Sequence, residues 1–185
     1  MSGILPLTVY PLPFIHYHLP ITKNPMNHPP TPPSVWSNLK HFFAFGFGVG
    51  ALPVAPGTWG TLLAVPIYLL VHNLPLWIYL LHTAALLVIG VWLCHATASE
   101  LGVDDHPGIV WDEIVGFLIA MTAAPSGWLW IVLGFGLFRL FDIWKPWPIN
   151  VIDRKLKGGL GIMMDDVLAG IYAFIILQAV VFILK

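Results

Sequence analysis

Residues 111–142 read WDEIVGFLIAMTAAPSGWLWIVLGFGLFRLFD, two apolar runs that meet at Pro125-Ser126-Gly127 and end in acids on both sides. Proline and glycine together at the centre are a strong turn signal. Each run is short for a membrane crossing, because eleven helical residues rise only about 16 Å, roughly half a hydrocarbon core. The pattern therefore predicts a re-entrant or tilted helical hairpin. Such a hairpin returns Asp142, at its end, to the side from which Asp112 and Glu113 depart.

The rest of the chain extends this reading. Of 185 residues 58% are hydrophobic and 9% charged, with a mean hydropathy of +0.83, far from the balance of an ordinary soluble domain. Further apolar runs lie near 42–56, 61–74, 76–94 and 167–184. Only 76–94 and 167–184 approach the ~20 residues that a single crossing needs. A turn at Asn73-Leu74-Pro75 would bring Cys94 back to the side from which Thr61 leaves. Lys40, Arg139, Lys145, Arg154, Lys155 and Lys157 fall on this common side, with Lys185 opposite, and the positive-inside rule makes it cytoplasmic. Residues 1–35, which hold nine of the seventeen prolines, read as an irregular arm, and 36–185 as one membrane domain. The expected fold is all-α, a polytopic or partly re-entrant membrane bundle.

All nine carboxylates lie between Glu100 and Asp166. Composition gives no reason for such gathering, so the acids read as a site. Asp112, Glu113, Asp142, Asp165 and Asp166 offer several hard oxygen donors and no thiolate or paired-histidine set, which suits Mg²⁺. Asp165-Asp166 stands directly before the last apolar run and is expected at its helix N-terminus, where the dipole favours negative charge. For Asp112 and Glu113 the competing role is helix capping, which one acid alone could perform.

Metal bound among these acids reverses the local sign, and Lys145 with Arg139 or Arg154 can then hold phosphate oxygens. Arg139, Asp142 and Lys145 are spaced i, i+3, i+6 along one helical face, so the alternative is an ion-pair ladder at the membrane edge. The Pro56-Gly57-Thr58-Trp59-Gly60-Thr61 stretch opens an apolar run, and Thr58 or Thr61 can cap a helix whose free N–H groups bind an anion, making Gly57, Thr58 and Thr61 candidate phosphate contacts. The alternation Gly46-Phe47-Gly48-Val49-Gly50 equally suits close helix packing. His95 and His106 are the histidines nearest the acids, while His16, His18, His28 and His41 are expected to face solvent.

Several functions are excluded. The few cations form no basic stripe, so nucleic acid is not a partner. A cysteine-type phosphatase needs an arginine six positions after its nucleophile, and Glu100 occupies that place relative to Cys94. An ion channel would spread acids through the membrane depth, whereas these gather at one face with cations beside them. The leading reading is metal-assisted hydrolysis of a phosphate ester whose lipid part stays in the membrane, and the alternative is a non-catalytic membrane scaffold, for which Asp166→Asn would be silent.

Four motifs carry a resemblance: Pro56-Gly57-Thr58-Trp59-Gly60-Thr61; Val110-Trp111-Asp112-Glu113-Ile114-Val115-Gly116; Phe138-Arg139-x-x-Asp142-x-Trp144-Lys145-Pro146-Trp147-Pro148-Ile149; and Gly158-Gly159-x-Gly161-Ile162-Met163-x-Asp165-Asp166-x-x-Ala169-Gly170. In this order, over about residues 40–184, the chain resembles the phosphatidylglycerophosphatase A family. The resemblance implies a Mg²⁺-dependent, multi-pass enzyme of the bacterial inner membrane that hydrolyses phosphatidylglycerophosphate to phosphatidylglycerol and phosphate at the cytoplasmic face. It also implies helices packed round a central one. By position, Asp112, Glu113, Asp142, Asp165 and Asp166 match the family's acids, Asp112, Glu113, Asp142 and Asp166 as its catalytic group, and Lys145 and Arg139 match its basic residues. Thr58 lies in its Pro-Gly-Thr turn.

Overall fold

A computed structural model describes residues 32–184, and among these every regular element is helical. After a 3₁₀ turn at Pro33–Trp36 come α1 (Leu39–Ala44), a second 3₁₀ turn at Val49–Ala51, α2 (Pro56–Val71), α3 (Leu76–Leu101), α4 (Trp111–Ala120), α5 (Trp128–Trp144), α6 (Ile149–Lys155) and α7 (Gly158–Ile183). Most of the proline-rich arm, with His16, His18 and His28, and also Lys185, lies outside the described residues. Of the arm's described end, Val35 is buried.

The bundle has the expected central helix, the ten-residue α4. α4 packs against α2, α3, α5 and α7, and Trp111, Val115, Gly116, Phe117, Leu118 and Ala120 are among its buried residues. Small residues allow this closeness. A Cβ on Gly116 would meet the Phe138 ring and, at 2.8 Å, the Asp166 carbonyl, and one on Gly170 would strike the Gly116 carbonyl. Without a strong hydrophobic drive between helices in lipid, such backbone approach is how they gain contact.

α4 stops inside the bundle because Ala123 takes a positive φ of 53° and Pro125 follows. Its released carbonyls have no water to turn to in a hydrocarbon layer, where an unsatisfied group is costly. The Tyr79 hydroxyl from α3 donates to the Leu118 carbonyl at 2.6 Å, and the Gln178 amide from α7 donates to that of Thr122 at 2.9 Å. The hairpin of α4 and α5 is thus closed by polar side chains of the two long helices.

α3 and α7 have 26 residues each and are long and apolar enough to cross a membrane. Their outward residues are apolar, Trp77, Leu81, Val88 and Trp92 on α3 and Phe182 on α7 among them, as lipid contact demands. Both helices outrun the apolar stretches from which they were inferred. The run at 76–94 continues as helix to Leu101, and the run at 167–184 is preceded by nine helical residues from Gly158. Hydropathy marks where an apolar run ends, whereas the helix is held by backbone hydrogen bonds and continues past that point. Asp165 and Asp166 are therefore not at a helix N-terminus, as expected, but two turns inside α7, which buries them.

Candidate active site

The start of α4 is fixed from below by backbone contacts. The Val110 N–H donates to the Ala44 carbonyl at 2.9 Å. Gly46 and Gly48, with φ of 54° and 87°, bend the chain so that Gly50 lies on the Gly108 carbonyl, where a Cβ would collide. The glycine alternation thus serves a turn and a backbone crossing. Asp112 and Glu113 occupy the first turn of α4, and neither caps it, because Val110 is the cap residue and no side chain closes the end. Both carboxylates are free to face the neighbouring helices.

There they meet Asp166. Carboxylate oxygens of Asp112, Glu113 and Asp166 all lie within 4.8 Å of one another, with Asp112 and Asp166 buried and Glu113 nearly so. Three ionised carboxylates at this spacing repel strongly in a low-dielectric interior and need protons or a cation among them. Asp112 Oδ1 and Glu113 Oε2 are buried and without a hydrogen-bond partner, as is Asp165 Oδ1 nearby. Orphaned buried acceptors of one hard chemistry fit a divalent cation with oxygen ligands such as Mg²⁺. Cys94 is no competitor, since its thiol is buried and directed to Met163 Sδ at 3.8 Å.

The cations flank this trio. Arg139 pairs with Asp142 one turn along α5 and stands 3.8 Å from Glu113 Oε1, while its own Nε is buried with no partner. Asp142 is thereby tied to Arg139, although it also touches Asp166. Lys145 leaves the helical face. It takes a positive φ of 45° at the end of α5, ahead of Pro146, and bridges Asp165 and, at 2.8 Å, Asp153. Burial opposes its charge, but Asp165 and Asp153 outweigh that and raise its pKa, so the ammonium persists at any ordinary pH. The alternative of an ion-pair ladder through Arg139, Asp142 and Lys145 is therefore interrupted at its third member.

At the mouth of α2, Gly57 lies against the same group. A Cβ there would run into Glu113 Oε1 and come within 3.1 Å of Arg139 Nη1. The expectation that Thr58 or Thr61 caps α2 does not hold: Ala55 is the cap residue and no side chain closes the end. Thr61 is fully buried and its hydroxyl donates to the Gly57 carbonyl at 2.8 Å, which removes it from phosphate contact. Thr58 is half-buried beside Gly57. Arg154 is exposed on α6 and makes no ion pair among the described residues.

His106, His95 and His41 lie among the following contacts. Burial lowers the pKa of His106; its Nδ1 accepts from the Gly108 N–H at 3.0 Å and its ring packs on Phe45. His95 lies against Gly158 and Gly159. His41 is not solvent-facing as expected but buried, with Nδ1 at 2.8 Å from Ser34 Oγ and Nε2 at 3.0 Å from Glu100, an acid that also pairs with Lys40. Sequence reading missed Asp153 as the partner of Lys145. The two are eight residues apart across a proline-rich turn, and no regular period links them.

The family model described as phosphatidylglycerophosphatase A matches residues 42–181. The chain is 48% identical over 136 residues to phosphatidylglycerophosphatase A of Escherichia coli (strain K12), covering 73% of this chain and 79% of that one. It is 48% identical over 145 residues to the protein of the same name from Haemophilus influenzae, covering 77% and 89%. A Bacteroides thetaiotaomicron protein named "Putative phosphatidylinositol-3-phosphatase" is 44% identical over 140 residues, covering 71% and 87%. No solved structure matches.

Proposed function

The chain belongs to the phosphatidylglycerophosphatase A family, and on that premise we propose that it hydrolyses the phosphomonoester of phosphatidylglycerophosphate, giving phosphatidylglycerol and inorganic phosphate in phospholipid biosynthesis. It is a lipid phosphatase. The observation that carries the reading is the convergence of Asp112, Glu113 and Asp166 from α4 and α7 to within 4.8 Å, with Arg139 beside them. These three acids are the ones we assign to Mg²⁺, with Asp142 and Asp165 as acids held by Arg139 and Lys145 at its edge. When bound, the ion would polarise the phosphoryl group and lower the pKa of a water.

The chain's own residues do the rest. Arg139 and Lys145 neutralise the phosphoryl oxygens, with Gly57 leaving the room that a phosphate needs beside Glu113 and Arg139. A carboxylate of the trio accepts the proton of the attacking water as the P–O bond to phosphatidylglycerol breaks and its oxygen leaves to be protonated, or itself attacks phosphorus with the same leaving group, after which water cleaves the acyl-phosphate to free phosphate. Burial by α2 and α5 keeps the group out of bulk water, where these charges would count for less. We further assign the site to the cytoplasmic face of a bacterial inner membrane, on the strength of the cations around it.

Phosphate release from phosphatidylglycerophosphate by the purified protein, with and without Mg²⁺, tests the reading. Release that stops with chelator and returns with Mg²⁺ is expected, and absence of release in both conditions refutes it. A 3-phosphoinositide in parallel decides whether the substrate is the one named for the third relative.

A further inference from the structure

We propose that the groove between α2 and α5 holds one acyl chain of the lipid substrate and leads its headgroup into the carboxylate site. The inference rests on the lipid phosphatase reading and adds the route by which the lipid arrives. α2 packs mainly on α4, and α5 mainly on α7, so the two meet each other only sparsely and leave a cleft. Leu62 and Val65 form one wall, and Trp128, Ile131, Val132 and Phe135 the other, enclosing about 240 Å³ with no polar surface.

Continuity with the site identifies the occupant. Ile131, Phe135 and Arg139 follow one another at i, i+4, i+8, a single stripe of α5 that passes from the groove to the guanidinium beside Glu113. On α2, Val65, Leu62 and Thr58 recede at helical spacing toward Gly57, whose Cβ position lies against Glu113 and Arg139. Both walls thus change from apolar to polar at the same level, one turn or about 6 Å beyond the groove. A molecule that matches has an extended apolar chain joined to an anionic head, which is the chemistry of a phospholipid. A protein partner would have no reason to meet Arg139 at one end only.

The test compares long-chain phosphatidylglycerophosphate in nanodiscs with its water-soluble dihexanoyl form. Leu62→Trp and Val132→Trp fill the groove from its exposed rim, and each should lower the ratio of kcat/KM for the long-chain over the short-chain substrate at least fivefold, mainly through KM. Val88→Trp, on the outward face of α3, should leave the ratio as it is. An unchanged ratio in the groove variants, or an equal loss on both substrates, overturns the proposal, whereas failure of the wild-type protein on both lipids overturns the phosphatase reading instead. A phospholipid with a diazirine in mid-chain gives a second readout on wild-type protein. Crosslinks concentrated at Leu62, Val65, Val132 and Phe135 support the groove; crosslinks spread evenly over α3 and α7, or a groove shielded by a second copy, refute it.

Discussion

At the scale of single residues, the trio of Asp112, Glu113 and Asp166 is a charge imbalance that the fold maintains. Replacing one acid by its amide removes repulsion and a metal ligand together. Asp166→Asn should therefore lower turnover by at least about 100-fold, while the thermal midpoint of the metal-free protein stays level or rises. A large fall in that midpoint would assign Asp166 to structure. Gly57 provides a steric counterpart: Gly57→Ala puts a methyl group against Glu113 and Arg139. Loss of activity with normal membrane expression is expected, and wild-type kcat/KM would remove Gly57 from the site. Among these residues the acids were legible as acids, because their clustering stands out in so apolar a chain. The divided roles of Arg139 and Lys145 were not, since spacing along α5 cannot foresee that Lys145 turns left-handed and leaves the helical face.

Elements are held here by groups that close helix ends inside lipid. The end of α4 depends on the Tyr79 hydroxyl at the Leu118 carbonyl and the Gln178 amide at that of Thr122. Tyr79→Phe leaves the ring packed and the carbonyl with only the long contact to the Thr122 hydroxyl at 3.4 Å, which should cost about 1 kcal/mol and show as a lower thermal midpoint in detergent with activity at low temperature kept. No change in the midpoint would mean that the Thr122 hydroxyl satisfies this carbonyl alone. At this scale the hairpin of α4 and α5 was readable from Pro125-Ser126-Gly127 and the short apolar runs. The true lengths of α3 and α7 were not, because their added turns contain polar residues and glycines that interrupt the apolar signal. That is also why Asp165 and Asp166 were expected at a helix start and not two turns within.

For the whole molecule the question is orientation. The acids, Lys145 and the exposed Arg154 and Lys155 gather at one end, and residues 167–183 of α7, rising about 26 Å, leave enough apolar helix to reach the far side. Lys155→Cys should react with an impermeant maleimide in inverted membrane vesicles and be protected in right-side-out ones; the buried Cys94 gives no background. Labelling only in right-side-out vesicles would put the site on the outer face.

The sequence by itself determined a helical fold with two helices apolar enough to cross a membrane, the gathering of its acids into one part of the chain, and motifs that are those of one phosphatase family. Those properties are local: hydropathy, turn residues and motif spacing are written along the chain. Only the tertiary structure decided which acids share a space, since Asp166 is more than fifty residues from Asp112 and reaches it through the packing of α7 on α4 at Gly116 and Gly170. Side-chain meetings between distant helices depend on helix rotation and on how closely backbones approach, and neither is fixed by any one segment alone.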